Sequence, residues 1–225
     1  MRPGRTQSNW TDMSGYIVHL VQDTLGSAYA NMIGVLSTRC LQARDQFGIA
    51  RRRSPTLKPT VSFSEVPIDQ LGRLARRRIR AGSGEWYGIG FAKDFMASRG
   101  AAPVFYAYPN SPPAQAALAL MDQAEQADNP ASAPIWDIAP FIDVPDNVNG
   151  RPNFFEWERE WRHLGDFHFH QDETAFLVMP ETFHQSAAGF FADAEADNVG
   201  PAYRCPFVDI RWDRSRIQAA LSHRT

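Results

Sequence analysis

The stretch FFEWEREWRHL, Phe154 to Leu164, decides how this 225-residue chain is read. Its aromatic density favours a strand. Side chains at i, i+2 and i+4 of a strand share a face. Glu156, Glu158 and Glu160 therefore point one way, while Trp157, Arg159 and Trp161 point the other and suit a core face. Three neighbouring carboxylates repel, so at least one needs a partner or a raised pKa. Charges that protect an edge strand are the structural reading of this pattern; carboxylate chemistry is the functional one.

Working outward, Thr174 to Met179 predicts a second strand, paired with the first through a turn over Gly165 to Asp172. Cys205 to Ile210 reads as a last strand and Arg214 to Ser222 as a last helix. Upstream, Tyr16 to Val21 predicts a strand, and Ser27 caps a helix that runs through Gln42, with Met32, Ile33, Leu36 and Cys40 at helical spacing. Thr60 to Ser64 reads as a strand. Pro67 opens an amphipathic helix carrying Ile68, Leu71, Leu74 and Ile79, which Gly82-Ser-Gly84 ends. Tyr87 to Phe91 predicts a strand whose glycines allow close backbone approach. Lys93 to Ser98 is a short helix stopped by Gly100, Pro103 to Tyr108 a strand, and Ala114 to Ala127 a helix. Residues 128–152, with several prolines and asparagines, read as a partly ordered connection. Strands dominate the second half, which points to α+β rather than a βαβ repeat. The expected organisation is one domain over residues 15–225 behind a polar tail of residues 1–14.

Apolar residues make up 44% of the chain and aromatic residues 12%, enough for a sizeable core and unlike a disordered sequence. A membrane-spanning helix needs about 20 apolar residues, and no run approaches that. The basic N-terminus lacks an apolar segment behind it, which argues against a signal peptide. Two cysteines, Cys40 and Cys205, are too few for a disulfide scaffold or a zinc site, and read as thiols in a reducing, cytoplasmic setting. His168 and His170 form an H-x-H pair between Asp166 and Asp172, but no cysteine is near in sequence and the pair falls in the expected turn, so no metal is assigned.

Net charge is −2, yet residues 1–100 carry 15 Lys and Arg against 7 Asp and Glu. Arginines cluster at Arg51, Arg52 and Arg53 and again at Arg73, Arg76, Arg77, Arg78 and Arg80. A solvated helix face accounts for the second cluster; a nucleic-acid-binding face formed by Arg76, Arg77 and Arg78 is the functional alternative.

The segments VSFSEVPI (Val61 to Ile68), YGIGFAKDFMASRGAAPVFYAY (Tyr87 to Tyr108), EREWR (Glu158 to Arg162) and ETAFLVMP (Glu173 to Pro180) resemble, in this order, the AbiGi family of bacterial abortive-infection proteins. That family is assigned to the antitoxin side of a phage-defence pair. More distantly, an early strand histidine, an arginine loop and a late strand glutamate are similar to the ADP-ribosyltransferase fold, above all its DarT-like branch that modifies DNA bases. This likeness implies a split, mostly antiparallel sheet with flanking helices, in which the His19 and Glu160 strands border one cleft. It implies NAD as a substrate. His19 would hold the nicotinamide-side ribose. Glu160 would contact the ribose 2′-hydroxyl and stabilise the oxocarbenium-like transition state, with Glu158 beside it. Tyr87 or Phe91 would stack on nicotinamide, Ser62 would lie in the same site, and one of Arg51 to Arg53 would meet the diphosphate. The function implied is an NAD-dependent transferase of a phage-defence system, acting on nucleic acid. The alternative is a non-catalytic antitoxin, or partner of a cognate toxin, that retains the fold.

Overall fold

The computed structural model describes residues 14–21, 27–44, 47–49, 51, 53–56, 58–73, 85–144, 147–148, 151–152 and 156–222. In chain order the elements are β1 (Tyr16–Val21), α1 (Ala28–Thr38), β2 (Cys40–Leu41), β3 (Thr60–Ser64), β4 (Tyr87–Ala92), α2 (Lys93–Ser98), β5 (Ala102–Pro103), β6 (Phe105–Tyr106), α3 (Pro112–Glu125), α4 (Ile135–Ile138) and β7 (Ile142–Asp143). There follow β8 (Asn147–Val148), β9 (Arg151–Pro152), β10 (Glu160–Leu164), β11 (Phe167–His168), β12 (Thr174–Val178), α5 (His184–Ala196), β13 (Phe207–Val208) and α6 (Arg214–Ser222). The class is α+β with a mostly antiparallel, open sheet. Among the described residues no helix is long and apolar enough to cross a membrane.

The chain divides into two compact units. The first comprises residues 1–41, 63–99 and 168–225. Its strands run in the order β13, β12, β4, β1, β3. β1 and β4 pair antiparallel over their whole length, from Tyr16 opposite Ala92 to Val21 opposite Tyr87. β12 lies antiparallel on the other side of β4, and β13 adds to it in parallel. The expected close approach occurs at Gly90, where an added Cβ would sit 2.3 Å from the Phe176 ring. Only glycine leaves room there for the far end of that ring. The core joins Val18 and Leu20 of β1, Phe176 and Val178 of β12, and Ile217 of α6. Ser27 caps α1 as the sequence predicts, accepting from the Ala30 amide at 3.2 Å.

The second unit comprises residues 42–62 and 100–167. Here the Thr60–Ser62 half of β3 neighbours β10, and β10 pairs antiparallel with β5. Met121, Ala124, Ile135, Trp136 and Ala139 form a core between α3 and α4. Trp136 is fully buried, its indole N–H donating to the Pro130 carbonyl at 2.7 Å. Arg53 ties the preceding loop to α3 through Asp122 and Glu125.

Several expectations need correcting. Phe154 to Leu164 is not one strand: Glu156–Glu158 is a 3-10 turn, Arg159 has φ +46°, and β10 begins at Glu160. The positive φ breaks the alternation, so the three glutamates do not share a strand face, and Trp157 is exposed while Trp161 is buried. β12 takes β4 and β13 as neighbours, not the strand before the turn. α1 stops at Thr38, because Arg39 turns left-handed (φ 54°) and donates back to the Val35 carbonyl, leaving Cys40 in β2. The expected Pro103–Tyr108 strand splits into β5 and β6. The described residues of 128–152 form α4, two 3-10 turns and three short strands. α5, missed in the sequence, is an Ala- and Gly-bearing helix with little apolar periodicity. The amphipathic helix after Pro67 is described only to Arg73, and Arg52, Arg76, Arg77 and Arg78 lie outside the described residues.

Candidate functional site

The polar centre of the second unit is built on β10. Glu160 and Arg162 stand two residues apart on one strand face, and both are buried, Arg162 to 1% exposure. Arg162 grips both carboxylate oxygens: Nε donates to Oε1 at 2.9 Å and Nη2 to Oε2 at 2.9 Å. Nη2 also reaches Asp143 of β7 at 2.7 Å, and Nη1 donates to the Pro140 carbonyl. The guanidinium lies 5.0 Å from the Phe47 ring centre, a cation–π contact.

Two hydroxyls complete the shell of Glu160. Ser62 of β3 donates to Oε1 at 2.7 Å, and Tyr106 of β6 donates to Oε2 at 3.1 Å. An ionised carboxylate offers about four acceptor positions, and four donors occupy them. Burial works against ionisation of Glu160, but the hydrogen bonds and charge of Arg162, with those from Ser62 and Tyr106, outweigh it and hold the carboxyl below its ordinary value. For Tyr106 burial and the neighbouring Glu160 charge both push the phenol up, and Glu158 adds to this. Tyr106 is thus a fixed donor at neutral pH. The repulsion expected among the glutamates is answered at Glu160 by a bidentate arginine.

The sequence-derived residues fall into two groups. Ser62, Glu158 and Glu160 belong to the second unit, where Ser62 and Glu160 touch directly and Glu158 is buried. Arg51 is exposed in a turn of that unit, its amide donating to the Gly48 carbonyl. Arg53, its neighbour in the triplet, is committed to α3. His19, Tyr87 and Phe91 belong to the first unit. His19 lies half-buried in β1, its ring edge-on to Phe63 at 5.8 Å. Tyr87 is 3% exposed and donates to Glu85, and Phe91 is wholly buried against Phe63 and Phe169. Neither offers an open ring face for stacking.

Arg162, Tyr106 and Asp143 are the site residues that sequence reading passed over. Arg162 was within reach, since strand alternation from Glu160 puts it on the same face and EREWR contains it. Tyr106 and Asp143 arrive from distant short strands with no local signal. His168 has an unforeseen neighbour: Cys40 Sγ lies 3.9 Å from its Nε2.

Compared with protein-family models, curated proteins and solved structures, the chain matches none.

Proposed function

We propose that this protein is a non-catalytic, partner-binding member of a bacterial phage-defence pair, in which an ADP-ribosyltransferase-like fold serves as scaffold. The phage-defence setting rests on the resemblance of the four quoted segments to abortive-infection proteins. The non-catalytic reading rests on one observation: both oxygens of Glu160 are saturated from within the chain by Arg162, Ser62 and Tyr106. A carboxylate that stabilises an oxocarbenium must meet developing charge with an oxygen directed at the reacting centre. Here each oxygen already receives two donors, one of them a buried guanidinium that would lose its bidentate partner and keep only Asp143 and the Pro140 carbonyl if the carboxylate turned away. The buried rings of Tyr87 and Phe91 point the same way.

The second reading, an NAD-dependent transferase acting on nucleic acid, is favoured by one feature. Two of the four donors to Glu160 are neutral hydroxyls, and a ribose hydroxyl can replace either without disturbing the Arg162 clamp. Calorimetric titration with NAD separates the two. The scaffold reading expects no saturable heat; stoichiometric binding that nicotinamide competes away would overturn it.

A further inference from the structure

In the first unit, α1 and α5 leave large apolar side chains in solvent. Tyr29 and Ile33, one turn apart on α1, are 51% and 37% exposed; Phe190 on α5 is 62% and Val199, just past its end, 61%. Ile33, Phe190 and Val199 line one groove of about 110 Å³ whose walls include Leu36, Phe191 and Tyr203. That base is firm. Phe191 packs on Tyr203 at 5.3 Å between ring centres, and the Tyr203 hydroxyl donates to the Leu36 carbonyl at 2.8 Å. Both helices also bury side chains, Ala28 and Met32 on α1 and Phe191 and Ala194 on α5, the last two at the base of the groove, and the outward side chains are additional to these. Grouped apolar exposure of this kind marks an interaction site.

The α5 side of the groove is acidic, while Arg39, at the end of α1, stands close enough to Tyr203 of the groove wall to act on its hydroxyl. Residues 27–38 and 184–200 contain no Lys or Arg, while α5 and its end carry Asp193, Glu195 and Asp197, all exposed. Arg204 is paired with Glu195. Asp193 and Asp197 follow Phe190 by three and seven residues, on the same side of the helix. The surface therefore presents an apolar slot with carboxylates along its α5 side.

We propose that the α1–α5 groove docks a basic amphipathic helix of a partner protein, with one apolar side chain between Ile33 and Phe190 and arginine or lysine against Asp193 and Asp197. Helix-in-groove recognition uses this division of labour, apolar anchors for affinity and charge for register. The proposal supplies the partner chemistry for the binding role above and rests on that reading.

The test is fluorescence anisotropy with a labelled synthetic peptide carrying Leu and Arg at amphipathic helical spacing, beside a counterpart with Glu in place of Arg. The basic peptide should bind and the acidic one should not. Phe190→Ser, a surface change checked for an unchanged melting temperature, should weaken binding about tenfold or more, the equivalent of one apolar anchor. Asp193→Asn with Asp197→Asn should weaken it and flatten its salt dependence. Equal binding of both peptides, or undiminished binding by Phe190→Ser, would overturn the proposal. So would a wild-type dimer in sedimentation that Phe190→Ser makes monomeric, since a second copy would then be the occupant. The peptide assay uses no NAD, so catalytic turnover would sink the functional reading while leaving this result standing.

Discussion

Replacing Arg162 by Met tests the buried network at its strongest point. Arg162 is 1% exposed and donates to Glu160, Asp143 and the Pro140 carbonyl. Methionine fills much of the stem volume but leaves Glu160 buried without its cation. Removing one partner of a buried pair costs about 3–5 kcal/mol. The lost contact with Phe47 adds about 0.5–1 kcal/mol. Two effects reduce the total: Ser62 and Tyr106 still donate to Glu160, and Asp143 keeps a third of its side chain in solvent and can hydrate. A net loss of about 3–4 kcal/mol results, which for a chain this size is a fall in Tm of roughly 6–16 °C. Thermal and urea unfolding followed by tryptophan fluorescence measure it, with Trp161 next to the site. Adding Glu160→Gln removes the stranded charge, so the double variant should be less destabilised than the sum of the two single variants. A loss below about 1 kcal/mol for Arg162→Met would refute the claim that this pair organises the second unit.

Tyr106→Phe removes one donor from an ionised acceptor and should cost about 1.5–3 kcal/mol in urea unfolding. Acid should weaken the fold through Glu160: its folded pKa lies below the ordinary value of 4.5, so its contribution is complete above about pH 5 and fades as pH falls through the folded value. Melting temperatures between pH 6 and pH 3 should drop less steeply in Glu160→Gln than in wild type. Gly90→Ala should destabilise the first unit by about 1–3 kcal/mol, because its Cβ would press on the Phe176 ring; an unchanged melt would mean the sheet adjusts freely there.

Much of the first unit was legible in the sequence, because β1, β4 and α2 announce themselves by local chemistry. Tyr16–Val21 is β-branched and apolar, Gly88 and Gly90 mark close packing, and Gly100, at φ +87°, ends α2. α6 was bounded by its own composition. The second unit was harder, since most of its strands are two residues long and owe their conformation to partners far along the chain. Glu160 stood out as a charged residue among aromatics, and it lies in the buried polar cluster of the second unit. The break at Arg159 was invisible, because nothing local signals a positive φ in an arginine. Asp143 and Tyr106 could not be found from spacing at all. The meeting of Asp143 with Arg162 and of Tyr106 with Glu160 is a product of tertiary folding, and it changes how Glu160 is read, from an available carboxylate to one already engaged.

The most direct test of that view is nicotinamide release and label transfer from labelled NAD, with mixed DNA, RNA and protein targets, by wild type and by Glu160→Gln at a temperature where both remain folded. A scaffold with a saturated Glu160 predicts no release above background from either protein, and a lower melting temperature for the variant. Release by wild type that Glu160→Gln reduces by about 10²–10³-fold, the usual cost of losing one charge-stabilising contact in a transition state, would contradict it.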